Sequence, residues 1–139
     1  MFDKNYEDRL AVWSDFRQAL EDSQDPYQDV INFYQPAPTV SIHCDPFDQD
    51  RWPTPWELIL ENQYCDFSRV LGYCFSLQLT ERFSGSNFEI HITTSEEKPY
   101  LYLLIIDNKT VLGYNESMPV AYNDIKSVLE SQVIYSVEN

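Results

Sequence analysis

The sequence predicts an α+β fold in which N-terminal helices pack on a small antiparallel sheet. Two changes of pattern support this. Apolar residues early in the chain recur every three or four positions, as on one face of a helix. Residues 88–114 instead alternate or form short apolar runs, as strands do. The 139 residues are 43% hydrophobic and contain no repeat, so we expect a single domain with a real core over residues 1–139.

Two helices are predicted in the N-terminal part, residues 1–36. The first covers residues 4–22, and its apolar face is formed by Tyr6, Leu10, Trp13, Phe16 and Leu20. The second begins after Asp25, because aspartate followed by Pro26 is typical of an N-cap with proline at the first helical position. Pro36 ends this helix.

Residues 37–53 are predicted to form an ordered loop that is rich in proline and aspartate. Only Thr39–His43 has the pattern of a short strand. We expect order rather than a linker because several apolar side chains in the loop require burial. They are Val40, Ile42, Phe47 and Trp52.

Residues 54–139 are predicted to contain a helix and the antiparallel sheet. Thr54 and Glu57 have the spacing of a capping box, so a helix starts there. It continues through Leu79, or it breaks near Asn62 and restarts at Cys65, because asparagine tolerates the left-handed conformation. The strands cover 88–94, 100–107 and 110–114, with turns at 95–98 and 107–109. A helix over 119–131 and a strand over 133–137 follow.

Composition excludes several classes of function. The net charge is 9 − 23 = −14, so free nucleic acid is not an expected partner, because its phosphates are bound by Lys and Arg. The longest apolar run, Leu101 to Ile106, is far shorter than the roughly 20 residues of a membrane span. The start MFDKNYEDRL has no features of a secretory signal. We expect a soluble protein without a membrane partner, with reduced thiols in a cytoplasmic setting.

The richest candidate site consists of Cys65, His91 and Asp107. A thiol at a helix start becomes a strong nucleophile when its thiolate is stabilised. His91 on one strand and Asp107 at the end of the next would then be a base and an orienting carboxylate. Cys74 lies on the opposite face of the helix from Cys65, and we interpret it as a core thiol.

A family resemblance adds to this interpretation. The stretch Trp52-Pro-Thr-Pro-Trp-Glu-Leu-Ile-Leu-Glu-Asn-Gln-Tyr-Cys-Asp-Phe-Ser resembles the nucleophile motif of bacterial transglutaminase-like cysteine proteinases, and Leu103-Leu-Ile-Ile-Asp-Asn resembles their strand end that supplies the acid. The resemblance implies a transglutaminase/papain-like fold in which Cys65 is the nucleophile, His91 the base and Asp107 the orienter. Gln63-Tyr64 and Asp66-Phe67 depart from the residues that flank the nucleophile in that family. The Asp-Pro and Trp-Pro-Thr-Pro-Trp-Glu-Leu stretches also resemble small tailed-phage proteins, which implies a virion or assembly component.

The pairing register of the two central strands decides whether the candidate residues meet. A hairpin centred on residue 97 places His91 opposite Leu103, about 13 Å along the strand from Asp107. A hairpin centred on Pro99 places His91 opposite Asp107. Each residue also has an ordinary interpretation: Cys65 as a half-buried free thiol, His91 as a cross-strand residue and Asp107 as a turn former.

Two functions therefore remain open. The first is acyl transfer or hydrolysis at an amide or peptide bond. The second is an inactive domain of the same fold that binds other proteins, as in a phage particle. No motif requires a cofactor, and His43-Cys44-Asp45 lacks the second close pair of ligands that a metal site needs. The acidic N-terminal half favours a partner protein, or a peptide substrate, with a basic surface. The sequence does not indicate the oligomeric state.

Overall fold

The computed structural model describes residues 1–94 and 100–138. The helices are α1 (Tyr6–Leu20), α2 (Pro26–Tyr34), α3 (Pro55–Glu61), α4 (Asp66–Gln78) and α5 (Tyr122–Ile125). The strands are β1 (Phe88–Thr94), β2 (Leu101–Ile106), β3 (Thr110–Leu112), β4 (Val120–Ala121) and β5 (Glu130–Ser136). Short 3-10 turns cover Gln49–Arg51 and Lys126–Val128. The predicted α+β class is confirmed, and the turn predicted over 95–98 lies outside the described residues.

The helix starts follow the local chemistry that the sequence indicated. The Asp25 side chain accepts a hydrogen bond from the backbone N–H of Gln28 and caps α2. Thr54 and Glu57 form the predicted capping box at α3. Asn62 ends α3 in the left-handed conformation, with φ 52° and ψ 41°. The helix therefore ends here and a second helix, α4, begins after Cys65, which is one of the two predicted alternatives.

The five strands form one antiparallel sheet in the order β4-β3-β2-β1-β5. Strands β1 to β4 follow one another as a meander, and β5 returns to pair with the other edge of β1. In the β1–β2 pair, Phe88 is opposite Ile106 and His91 is opposite Leu103. The hairpin thus has the register centred on residue 97, and the register that would bring His91 opposite Asp107 is not formed.

Apolar residues cover both faces of the sheet. One face packs on the helices and contributes Phe88, Ile90, Leu104, Ile106 and Leu112 to the large core. The other face carries a smaller core formed by Leu103, Ile105, Val111 and Ile125. This two-sided burial explains why β2 is a continuous apolar run rather than an alternating one.

Two segments differ from the prediction. The predicted strand over Thr39–His43 is limited to one bridge, between Thr39 and Tyr64. The predicted helix over 119–131 is wrong at both ends, because Val120–Ala121 forms β4, and β5 begins at Glu130, so that only α5 and the 3-10 turn that follows it are helical. Among helices in residues 1–94 and 100–138, none has the length and apolar character needed to cross a membrane.

Candidate functional site

Cys65 is the N-cap of α4. Its backbone has the extended conformation of a cap residue, and its sulfur accepts a hydrogen bond from the backbone N–H of Ser68 at 3.5 Å. In return, the Ser68 hydroxyl accepts from the backbone N–H of Cys65 at 2.8 Å. The predicted placement of Cys65 at a helix start is therefore confirmed, and the thiol occupies the position where an N-cap oxygen usually lies.

The surroundings of Cys65 stabilise its thiolate. Burial opposes ionisation of this thiol, but hydrogen bonds from the Ser68 side chain and from the backbone of Ser68, His43 and Phe67 outweigh burial and lower its pKa. Cys74, about two and a half turns further along the helix, is fully buried, and burial alone raises its pKa. The pKa values of the two thiols are thus shifted in opposite directions, because only Cys65 lies at the helix end whose backbone N–H groups have no partner within the helix.

His91 lies on the face of the sheet that is turned away from α4. Its cross-strand neighbour Leu103 belongs to the smaller core, and its side chain is buried, with 3% of the residue exposed. The imidazole Nδ1 lies 3.1 Å from the Ser131 hydroxyl and Nε2 lies 3.3 Å from a Glu89 carboxylate oxygen. The ring meets Tyr122 edge to face at 6.2 Å between centroids. His91 therefore helps to pack α5 on the sheet.

Asp107 forms the turn between β2 and β3. Asp107 and Asn108 have φ values of 53° and 56°, the two left-handed central residues of a turn that the Lys109 N–H closes on the Ile106 carbonyl at 3.0 Å. The Asp107 carboxylate accepts from the backbone N–H of Asn87 at 2.7 Å, and its own N–H donates to the Asn87 carbonyl at 2.8 Å. These contacts fix the start of β1 against the end of β2.

The structure does not bring Cys65, His91 and Asp107 together. Cys65 lies on the helix that packs against one face of the sheet, whereas His91 projects from the other face, so the sheet separates the two side chains. Asp107 is four residues beyond Leu103 along β2, roughly 13 Å from the position opposite His91. Each polar group instead has a local partner, and the contacts expected for a nucleophile, a base and an orienter are not made.

The loop over residues 37–53 lies across the start of α4, which the sequence did not indicate. Val40 donates to the Tyr64 carbonyl at 2.9 Å, and Tyr64 donates to the Pro38 carbonyl at 3.0 Å. His43 contributes its backbone to the hydrogen bonding of the Cys65 sulfur, while its imidazole Nε2 contacts a Glu61 carboxylate oxygen at 2.6 Å. These contacts hold the neighbouring Cys44 close to Cys65.

Cys44 is the site residue that the sequence interpretation missed. Burial, followed by the negative charges of Cys65, Glu61 and Asp45, raises the pKa of Cys44 to about 12. In the sequence, Cys44 stands out only as part of His43-Cys44-Asp45, a weak metal motif. Within residues 1–94 and 100–138, no cluster of three or more His, Cys, Asp and Glu side chains is arranged to hold a metal ion.

A cavity of about 650 Å³ opens beside the two cysteines. Its apolar walls include Ile42, Phe47 and Tyr102, and Phe47 contacts the ring of Tyr100 edge to face at 5.4 Å. Ile42 is 81% exposed and Phe47 is 43% exposed, so their predicted burial is wrong. Asp66 and the rings of Tyr100 and Tyr102 are shared with a second, wider cleft of about 1040 Å³. The cavity beside the cysteines is thus largely apolar, whereas the adjoining cleft is lined by more polar side chains, Arg69 among them.

No family model, no curated protein and no solved structure matches the chain. Function is therefore inferred from the geometry of the cavity beside Cys65.

Proposed function

We propose that the chain is a protein-binding module that takes an apolar, basic-flanked segment of a partner protein into the cavity beside Cys65. The observation that carries the proposal is the exposure of Ile42 and Phe47 at this cavity. Exposed aliphatic and aromatic side chains around a concave site are typical of ligand and partner surfaces. The loop has the contacts of an ordered segment, so it presents these side chains without a large ordering cost.

The charge around the cavity favours a basic partner. Asp45 and Asp66 are the charged residues among the described residues that line it, and the whole chain has a net charge of −14. Acidic groups at the rim attract Lys and Arg and speed association, whereas the apolar wall supplies the binding surface. A partner segment with an aromatic or aliphatic centre and basic flanks is complementary to both features.

The family resemblance is compatible with this proposal. A transglutaminase/papain-like domain whose Cys, His and Asp do not meet would keep its substrate cleft as a binding groove. The resemblance to tailed-phage proteins further suggests that the partner is another component of a particle or of its assembly. We include both the family fold and the virion setting in the proposal.

Selection from a displayed library of random dodecamer peptides tests the proposal. We expect the protein to enrich peptides that combine aromatic or aliphatic residues with Lys or Arg. Asp45→Asn combined with Asp66→Asn should weaken a selected peptide about tenfold at low salt, and 0.5 M NaCl should weaken binding to the unaltered chain. Phe47→Ser should weaken binding of the selected peptide at every salt concentration.

A charge-matched control separates the cavity from the general acidity of the chain. Asp15 and Asp124 are both exposed and lie outside the cavity. Their joint conversion to Asn removes the same charge, and we expect little change in affinity. Absence of any enriched motif, enrichment of acidic peptides, or an equal loss in this control would contradict the proposal.

Acyl chemistry at Cys65 is a second candidate function, favoured by the hydrogen bonds that stabilise its thiolate. Because His91 contacts Ser131 and Tyr122, we expect p-nitrophenyl acetate to acetylate Cys65 once, without turnover. The burst should disappear in Cys65→Ser and persist in both His91→Ala and Asp107→Asn. Sustained turnover that His91→Ala abolishes would favour the enzyme over the binding module.

A further inference from the structure

Cys44 and Cys65 are two free thiols that line the same cavity. We infer that they form an oxidisable pair, which a hydroperoxide converts into an intramolecular disulfide between the loop and the start of α4. This inference does not depend on the proposed binding function, since it requires only the two thiols and a small oxidant that enters the cavity.

The contacts of the loop place the pair together. The backbone of His43, the residue before Cys44, takes part in the hydrogen bonding of the Cys65 sulfur. The bridge between Thr39 and Tyr64 fixes the loop on one side of this contact. Cys44 itself lies in a bend outside the helices and strands, so its backbone can adjust to the geometry that a disulfide requires, while Cys65 stays anchored at the helix.

The two thiols differ in the way that such a reaction needs. Cys65 is stabilised as a thiolate by its hydrogen bonds, whereas burial raises the pKa of Cys44 to about 12 and keeps it protonated. The thiolate is the nucleophile in thiol oxidation. Cys65 therefore reacts first with the oxidant, and Cys44 is the neighbouring thiol that completes the disulfide.

The chemistry balances in two steps. The Cys65 thiolate attacks the terminal oxygen of the hydroperoxide, the S–O bond of a sulfenic acid forms and the O–O bond breaks. The departing alkoxide, or hydroxide from H₂O₂, takes a proton from solvent and leaves as an alcohol or as water. The Cys44 sulfur then attacks the Cys65 sulfur, the S–S bond forms, and the S–O bond breaks. The departing hydroxide takes the Cys44 proton and leaves as water, so two thiols have supplied two electrons to one peroxide.

Mass spectrometry of the full chain after treatment with H₂O₂ tests the inference. We expect a loss of about 2 Da and a peptide that links Cys44 to Cys65, with Cys74 still reduced because it is fully buried. Cys44→Ser should instead accumulate a Cys65 sulfenic acid that dimedone labels. Cys65→Ser should lower the rate of thiol oxidation at least about tenfold.

Several outcomes would overturn the inference. They are three reduced thiols after treatment, a disulfide that includes Cys74, disulfides only between two copies of the chain, or dimedone labelling of Cys44 in Cys65→Ser at the rate found for Cys65. Circular dichroism of each variant checks that it is folded. If a serine variant does not fold, the corresponding alanine variant replaces it, and the linked peptide in the unaltered chain is an independent readout.

Discussion

The start of α4 and its middle place similar small side chains in opposite surroundings. At the start, Cys65 meets hydrogen-bond donors and an open cavity. In the middle, Gly72, Cys74 and Ser76 have almost no exposed surface, and Gly72 and Ser76 both meet Tyr34 of α2. The comparison shows how one helix separates reactivity from stability: unpaired N–H groups occur at its end, and close packing occurs along its length.

The largest expected difference is in thiol reactivity. We expect iodoacetamide to modify Cys65 at least about 10³-fold faster than Cys74, because Cys74 is reached only when the domain unfolds, at a cost of about 5 kcal/mol or more. Peptide mapping over time measures both rates. Ser68→Ala should shift the pH midpoint of Cys65 modification upward, since it removes a hydrogen bond to the thiolate. Similar rates at the two cysteines would contradict the comparison.

The next effect concerns the hydrogen bonds of Ser76. Its hydroxyl lies 2.9 Å from the Trp13 indole nitrogen and 3.0 Å from the Tyr34 hydroxyl, and all three residues are buried. Ser76→Ala removes the shared partner of both groups and should lower the free energy of unfolding by about 2–4 kcal/mol. Urea denaturation measures the loss. Ser14→Ala, on the exposed side of α1, is the control and should be nearly neutral.

A smaller loss is expected at Gly72. A Cβ atom there would lie 2.8 Å from a ring carbon of Tyr34, which is fully buried. We expect Gly72→Ala to destabilise the fold by about 1–2 kcal/mol, since the overpacking outweighs the gain in helix propensity. At Gly85 an added Cβ has no neighbour within 4 Å, and Gly85→Ala should change stability by less than about 0.5 kcal/mol. Thermal or urea unfolding measures both variants. Equal losses of stability in Gly72→Ala and Gly85→Ala would show that Tyr34 moves to accommodate the added methyl group without cost.

The smallest effect is the pH dependence of stability, and its sign differs between the two cavity cysteines. Because the pKa of Cys65 is lowered by folding, this thiol adds to the free energy of unfolding above the pKa of the unfolded chain, about 8.5. The gain is lost as pH falls through the pKa of the folded protein. Because the pKa of Cys44 is raised by folding, its contribution to the free energy of unfolding is present below about pH 8.5. That contribution is lost as pH rises towards the pKa of Cys44 in the folded protein.

Urea unfolding between pH 6.5 and pH 9 measures these contributions. The stability of the unaltered chain relative to Cys65→Ser should rise over this range, by on the order of 1 kcal/mol or less. Relative to Cys44→Ser it should fall above pH 8.5, by less than about 1 kcal/mol at pH 9. Parallel pH profiles for the two variants would contradict the opposite shifts.

Local chemistry made much of the fold predictable. The cap at Asp25, the capping box at Thr54 and the left-handed Asn62 depend on residues within one turn, so the sequence indicates them directly. The extents of β1 and β2 follow from alternation and from a continuous apolar run. The helix predicted over 119–131 is shortened at both ends by strand pairing: Val120 pairs with Val111 in the neighbouring strand, and Glu130 pairs with the distant Thr94.

The candidate site was less predictable for a different physical reason. Alternation indicates that His91 shares a face of β1 with Glu89 and Thr93, but both faces of this sheet are buried, so the pattern does not identify the face that carries α4. The loop over residues 37–53 has no periodicity, and its position over Cys65 depends on backbone hydrogen bonds to Tyr64. Cys44 and the exposed Phe47 are therefore seen as site residues only in the structure.

The return of β5 to β1 also constrains how the chain can be made. During synthesis, β1 leaves the ribosome well before β5, so the nascent chain carries a strand that is paired along only one side. The open edge of this apolar strand would bind other unfinished chains until β5 arrives. The sheet is therefore completed only after β5 has been synthesised, and until then the unpaired edge of β1 is a site at which incomplete chains can associate.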